Sequence, residues 1–384
     1  MSVAPRVRAI AFYLPQFHPI PENDAWWGRG FTEWNNVAKA RPNFTGHYQP
    51  HVPADLGFYD LRVPETRIEQ ARLAREAGIH GFCYYYYWFA GKRLLIRPLE
   101  ETLERGEPDF PFCVCWANED WTRAWDGKSS EVLIGQEHSE ADSRDFIRGL
   151  FPFFQDRRYI RVKGRPLLLI YRIDIIPDLR ATVDLWRREC AGAGIPDPYL
   201  VAVQSFGIGD PTPYGFDGAV EFPPHGTDLV WNCNARFRGQ FLNPRFAGHI
   251  VDIRRVIEVS RRREIPPYRL FRGVMPAWDN TARRQDTGLI FVESTPERYE
   301  AWLREMVDQT RARLAGDERL VFINAWNEWA EGCHLEPDER YGHAFLDATR
   351  RALCGGPGPF VPLPKQTEGG SPSVDQTVTM ERTQ

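Results

Sequence analysis

The segment Trp326-Asn327-Glu328-Trp329-Ala330-Glu331-Gly332 sets two carboxylates three residues apart, among indole rings. The residues just before it, 319–325, form a short apolar run of the kind that makes a strand buried on both faces. On a straight strand Glu328 and Glu331 would point to opposite faces, so they can converge only if the chain turns between them, and Gly332 is placed to let it turn. Two convergent carboxyls beside aromatic rings at the end of a strand are what glycosidic chemistry needs: one donates a proton, the other acts as base or nucleophile. A bare E-x-x-E also describes solvated loop acids, because surface carboxylates are common. Asn327, Trp329 and Gly332 favour the chemical reading.

Something must carry that segment to a rim, and the rest of the chain repeats its pattern. Apolar runs of strand length occur at 7–14, 81–87, 112–116, 166–171, 199–204, 218–222 and 273–277, and the run at 319–325 is the eighth. Helices are expected after most of them. One covers 64–77, with Pro64 in its first turn and Gly78 as its stop, and one covers 97–105. Another runs from a Ser139 cap to Phe154, and a fourth covers 178–193. The last three span 250–263, a stretch opened by Thr295 and Pro296, and 337–353. The segment that follows His18, through Trp26 to Tyr59, is too rich in Gly, Pro and Asn for regular structure, and loops of that length are usually functional. Eight strands alternating with helices predict an α/β fold, a single (β/α)8 TIM barrel with long βα loops. Barrel enzymes keep their chemistry at the C-terminal ends of the strands, which is where these runs end in polar and aromatic residues.

The loop ends then converge on one cleft. Its expected lining is His18, Trp34, Tyr86, Trp88, Trp116, Asn118, Glu119, Trp121, Tyr171, Gln204, Glu221, His225, Trp278, Asp279 and Asn327, around the catalytic candidates Glu328 and Glu331. Sugars present flat C–H faces ringed by hydroxyls, which suits indole and phenol rings set beside Asn, Asp, Glu and His. Any single Trp in this set is also a good core residue. Of the four consecutive tyrosines at 84–87, at most two can face the cleft. Glu119, in Asn118-Glu119-Asp120, is the main competitor for the role of catalytic carboxylate. His18 and His225 lack metal-ligand spacing and read as hydrogen-bonding groups, so neither metal nor cofactor is expected. Gly-rich phosphate loops, nucleophile elbows and dinucleotide fingerprints are absent from the sequence.

Length admits one large barrel or two average domains, and the strand count decides for one, at 1–354. Residues 355–384, rich in Pro, Gly, Ser and Thr without periodicity, are expected to be a disordered C-terminal tail. A net charge of -4 carries no footprint for nucleic acid or an anionic membrane. Seven cysteines without a C-x-x-C pair read as reduced thiols. The first apolar run ends at Pro15, too short for a membrane span or a secretory segment, so a cytoplasmic location is expected. Oligomeric state is not legible.

Five stretches together carry a resemblance: AFYLPQFHPIPEND, WWGRGFTEWNNVAKARPNFTGHYQPHVPADLGFYDL, GFCYYYYWFAGKRLL, WANEDWTRAWDG and NAWNEWAEGCHLEPD. They look like the WbsX-type domain of bacterial polysaccharide gene clusters, a domain labelled a glycosyltransferase and similar to glycoside hydrolase family 99, the endo-α-mannosidases. The resemblance covers about residues 7–350 and implies a (β/α)8 fold with a catalytic glutamate pair at Glu328 and Glu331. It further implies retention of anomeric configuration through a 1,2-anhydro sugar, with Glu328 as base toward the sugar 2-hydroxyl and Glu331 as acid and then base. The hydrolases are typically exported or Golgi-resident, whereas this sequence shows no export signal, which fits glycan assembly better than digestion. The expectation is an enzyme that cleaves or transfers a glycosidic bond in a bacterial surface polysaccharide or its precursor, with an oligo- or polysaccharide as partner. Two alternatives stand beside it: a sugar-nucleotide-dependent glycosyltransferase of O-antigen-type biosynthesis, and an inactive glycan-binding barrel.

Overall fold

The computed structural model describes residues 7–123, 128–206, 209–225, 237 and 239–355. Eight strands form the barrel: β1 (Arg8–Tyr13), β2 (Gly81–Phe89), β3 (Phe112–Trp116), β4 (Arg165–Ile170), β5 (Tyr199–Gln204), β6 (Gly218–Glu221), β7 (Leu270–Val274) and β8 (Leu320–Ile323). Each pairs in parallel with its neighbour in sequence, and β1 pairs with both β2 and β8, which closes the sheet. Closure leaves no barrel edge exposed.

Around the strands pack α1 (Pro64–Glu76), α2 (Arg97–Arg105), α3 (Glu140–Gly149), α4 (Leu179–Gly192), α5 (Ile253–Arg262), α6 (Pro296–Arg313) and α7 (Ala344–Cys354). Between β5 and β6 a 3-10 turn, Thr212–Tyr214, stands where a helix would be. The caps follow side-chain chemistry, with Ser139, Asp178 and Thr295 each accepting a backbone N–H of the first turn.

Alternation along the strands sorts side chains into two layers. Phe12 meets Phe222 edge-on at 4.8 Å and Phe322 at 5.8 Å, and it stacks on Tyr85 at 5.8 Å, so these rings fill the barrel interior. The neighbouring residues face the helices: Tyr84 lies on Tyr13 at 4.3 Å, and Trp116 stacks on Phe146 of α3 at 4.2 Å.

Several boundaries differ from the expected ones for identifiable reasons. The seventh strand begins at Leu270 rather than Gly273, because Arg272 is tolerated inside it: its guanidinium lies 3.0 Å from Glu221 and donates to the Ser260 carbonyl. The helix expected from 139 to 154 breaks at Leu150, and Pro152 starts a second one, Phe151–Gln155. Residues His249–Asp252 form a parallel ribbon with Leu289–Val292, so α5 begins only at Ile253. The last helix starts at Ala344, because Asp338 accepts from the Tyr341 N–H and bridges to Gly342 instead. The long first loop is not wholly irregular and holds two short helices, Pro21–Trp27 and Trp34–Val37. The expected tail at 355–384 lies outside the described residues apart from Gly355. Among the described residues, no helix is long and apolar enough to cross a membrane.

Candidate active site

After β8 the chain folds into a small antiparallel ribbon, Asn327–Glu328 against Cys333–His334, joined by a 3-10 turn over Trp329–Glu331. Gly332 closes the turn at a φ of 55°, in the left-handed region. A Cβ there would also stand 3.0 Å from the Asp279 carbonyl oxygen and 3.1 Å from its nitrogen. The turn brings the two carboxyls to one side. Arg283 holds them there: its Nη2 lies 3.0 Å from Glu328 Oε2, and its Nη1 binds Glu331 Oε1.

A third acid joins them. Glu33, fully buried, sits with Oε2 3.3 Å from Nε of the same guanidinium. One guanidinium therefore serves three carboxyls, two of them buried and Glu331 partly exposed, with Arg284 adding a lesser positive charge at Glu331, and the surplus negative charge is relieved by protons. Burial, followed by the charge of Glu331, pushes Glu328 up to about 8, while Arg283 only partly opposes them. Burial also raises Glu331 and Glu33, again against Arg283. Glu328 is thus set to hold a proton near neutral pH beside a second carboxyl that is also raised.

The support beneath the turn is dense. Asp279 donates its N–H to the Glu331 carbonyl at 2.6 Å, and its carboxylate takes His47 at 2.6 Å, Gln49 at 2.7 Å and the Thr281 N–H at 3.0 Å. It thereby ties the first loop to the acidic turn. Trp329 donates to Glu336 at 2.6 Å, and that carboxyl also accepts from Gln70 and the Tyr59 hydroxyl. Burial pushes Glu336 up to about 7. Asn327 accepts from the Leu14 N–H and donates to the Leu14 carbonyl, a clamp between β1 and the turn rather than an exposed contact.

Of the residues expected to line the cleft, some gather near the pair and some do not. Tyr171 feels Glu119 and Glu331 together, after burial, and its ring meets Phe222 at 5.5 Å. His225 stacks on Phe222 and meets Trp278 edge-on at 5.2 Å, which continues that wall. Trp121 packs edge-on against Tyr87 at 5.0 Å. Glu119 is at the rim, ion-paired with Arg172 at 2.7 Å, and Asn118 locks two loops through the Arg172 backbone. Trp34 packs behind Trp329 at 5.5 Å, with its indole N–H on the Tyr59 carbonyl.

Six expected lining residues are placed elsewhere. Tyr86 faces Phe146 and Phe153, Trp88 donates to Asp142 of α3, and Trp116 stacks on Phe146, so strand alternation turns all three toward the helices. Glu221 and Gln204 bind Arg263, on the outer face of β5 and β6. His18 is buried and pushed down to about 4, by burial first, with Asp60, Arg62 and Arg97 as its charged neighbours.

The cleft positions of β2 belong instead to Tyr85 and Tyr87, whose hydroxyls feel Glu328 after burial. Glu33 and Arg283 were also missed. Glu33 stands in the Phe31-Thr32-Glu33-Trp34 run, where an acid between aromatics was a usable signal; Arg283 has no distinguishing neighbour.

Comparison with known proteins follows from this geometry. The model of the family described as "Glycosyltransferase WbsX" matches residues 9–349. Two relatives from Xanthomonas campestris pv. campestris, both described as "Uncharacterized protein WxcX", are each 49% identical over 348 residues, covering 91% of this chain and 50% of the relative. The chain spans about half the length of these curated relatives. Among solved structures, a "Glycoside hydrolase-like protein" superposes with a TM-score of 0.57 at 14% identity, covering 92% of this chain and 95% of the other. A GH99 endo-alpha-mannosidase from Bacteroides thetaiotaomicron superposes with a TM-score of 0.54, also at 14% identity, covering 90% and 96%. At that identity the likeness is one of fold.

Proposed function

Since the chain belongs to the WbsX glycosyltransferase family, we propose that it is a carbohydrate-active enzyme that cleaves or transfers a glycosidic bond in a bacterial surface polysaccharide or its precursor. The observation that carries this reading is the pair of buried Glu328 and partly exposed Glu331, turned to one side and held on one guanidinium at the C-terminal end of a barrel strand. The glycoside hydrolase-like neighbours support the same class, as does the wall of Tyr85, Tyr87, Trp121, Tyr171 and Trp278.

In the proposed mechanism the carboxylate of Glu328 takes the proton of the sugar 2-hydroxyl, and that oxygen attacks the anomeric carbon. Glu331 gives its proton to the departing glycosidic oxygen. Water or an acceptor hydroxyl, deprotonated by Glu331, then opens the 1,2-anhydro ring, and the 2-oxygen recovers its proton from Glu328. The anomeric configuration is retained. A sugar hydroxyl is a poor acid, so its base should be stronger than an ordinary carboxylate, and a Glu328 pushed up to about 8 is such a base. Near pH 7 about a tenth of it is ionised, so the gain in basicity outweighs a modest loss of population. At the rim after β3 and β4, Glu119, Gln136, His138 and Arg172 line a hollow of about 550 Å³ that does not include the pair itself and offers polar room for a more distant part of a glycan.

The family's description favours one second reading, transfer from a sugar nucleotide. Incubation with defined oligosaccharides, following the product anomer by NMR, tests the first reading. Glu328→Gln and Glu331→Gln should each abolish turnover in a chain that still folds. Turnover retained in both variants would sink the pair's role and move attention to Glu119. Calorimetric binding of a sugar nucleotide, with no oligosaccharide processed, would favour the second reading.

A further inference from the structure

Next to the acidic turn, His51, His334 and Asp338 meet, all three buried, with one ligand-type atom from each lying within 4.8 Å of the other two. We propose that these side chains form a binding site for a transition-metal dication of the zinc class. Two imidazoles and a carboxylate are a donor set that suits Zn²⁺, with a further position left for water.

The orientation of each ligand supports the assignment. His334 Nδ1 lies 3.0 Å from the Glu336 carbonyl, which can only accept, so the ring carries its proton there and directs the Nε2 lone pair at its partners. An imidazole anchored by one nitrogen on a carbonyl is the usual support for metal ligation by the other. His51 Nδ1 stands 2.9 Å and Asp338 Oδ2 3.7 Å from that Nε2. Ligand atoms about 2.0–2.1 Å from a tetrahedral ion are about 3.3–3.4 Å apart, so an ion would part the two imidazoles slightly and draw in the Asp338 carboxylate, whose separations lie within 4.8 Å. The other Asp338 oxygen accepts the Tyr341 N–H at 2.6 Å, which leaves Oδ2 for the centre.

The frame is already rigid. His334 stacks on Trp329 at 3.7 Å and His51 on Tyr48 at 4.3 Å. The Ala54 N–H donates to the Pro337 carbonyl and the Glu339 N–H to the Val52 carbonyl, so the two ligand-bearing segments are laced together by backbone. No local H-x-x-x-H motif announces this site, because its ligands come from the first loop and from the segment after the acidic turn. An ion here would staple those segments and brace Trp329, the residue following Glu328.

The full chain, stripped with a chelator, is titrated with Zn²⁺ by calorimetry and with Co²⁺ by visible absorption. One equivalent per chain, tetrahedral-type Co²⁺ bands and a thermal midpoint raised by several degrees in Zn²⁺ are expected. Affinity should fall at least tenfold in H51Q and D338N and persist in E331Q. Sub-stoichiometric uptake by the wild-type chain, with no Co²⁺ bands, would overturn the proposal and leave a hydrogen-bonded histidine clamp. Undiminished affinity in folded H51Q and D338N would overturn it equally. If those variants do not fold, the wild-type stoichiometry and Co²⁺ spectrum decide alone.

Discussion

Replacing Glu328 by Gln should make the protein more stable at alkaline pH while removing its activity. In the folded chain burial, then Glu331, hold the Glu328 carboxyl up to about 8 from an ordinary 4.5. A raised carboxyl binds its proton more tightly folded than unfolded, so its contribution is fully present below the unfolded value and is lost as pH climbs through the folded one. Each pH unit in that window costs about 1.4 kcal/mol, which across the window sums to about 3–5 kcal/mol by pH 8. Gln has the same shape as the protonated carboxyl and no proton to lose, and the value of about 8 already contains the opposing charge of Arg283. The variant should match the wild type near pH 5 and exceed it by about 3–4 kcal/mol at pH 8. With about 2 cal/mol/K per residue of unfolding entropy over the ordered chain, that is a midpoint shift of about 5 °C. Urea or thermal denaturation of both proteins from pH 5 to 9 reads it directly. Parallel pH dependences, or a variant less stable throughout, would refute the claim that Glu328 is buried at a cost.

Three further outcomes follow from the same geometry. Arg283→Met removes the cation that Glu33, Glu328 and Glu331 share, so both limbs of the pH–rate profile should move up by a unit or more and stability should drop by about 3–5 kcal/mol; an unmoved profile would show that the acids are tuned by other groups. Gly332→Ala forces a left-handed alanine into the Asp279 backbone, and a loss of about 2–3 kcal/mol with little turnover is expected from denaturation and assay together. Tyr87→Phe should lower kcat/KM at least tenfold and Tyr86→Phe should leave it within twofold, since only the first lies in the field of Glu328; the reverse ranking would invert the inward and outward assignment of β2.

Much of the fold is written in short-range pattern, and less of the site is. β3 and β5 span 112–116 and 199–204, the same residues that periodicity marks in the sequence, because their runs are bounded on both sides by polar or turn-forming residues. β7 was displaced because Arg272 interrupts its run, and only tertiary pairing with Glu221 makes that tolerable. Alternation says that two of Tyr84 to Tyr87 face inward, but not which two. That parity is set by register against β1 and β3, where Tyr85 meets Phe12 and Tyr86 lies opposite Trp116. The turn that brings Glu328 and Glu331 together is legible in Gly332, whereas the partners of the pair are not, because they arrive from 250 residues apart in the chain.

That separation has a chemical consequence. Glu33 comes from the loop after β1, Arg283 from the short helix after β7, and Glu328 and Glu331 from the ribbon after β8. Each alone would be an ordinary surface ion with an ordinary affinity for protons. Barrel closure puts β1, β7 and β8 side by side and so forces three carboxyls onto one guanidinium out of water. The surplus charge can be relieved only by holding protons, and it is this surplus, more than the identity of either glutamate, that brings a carboxyl near neutral pH. A variant that supplied a further cation beside the trio, in addition to Arg283 and the weaker Arg284, should therefore stabilise the fold and slow the chemistry together.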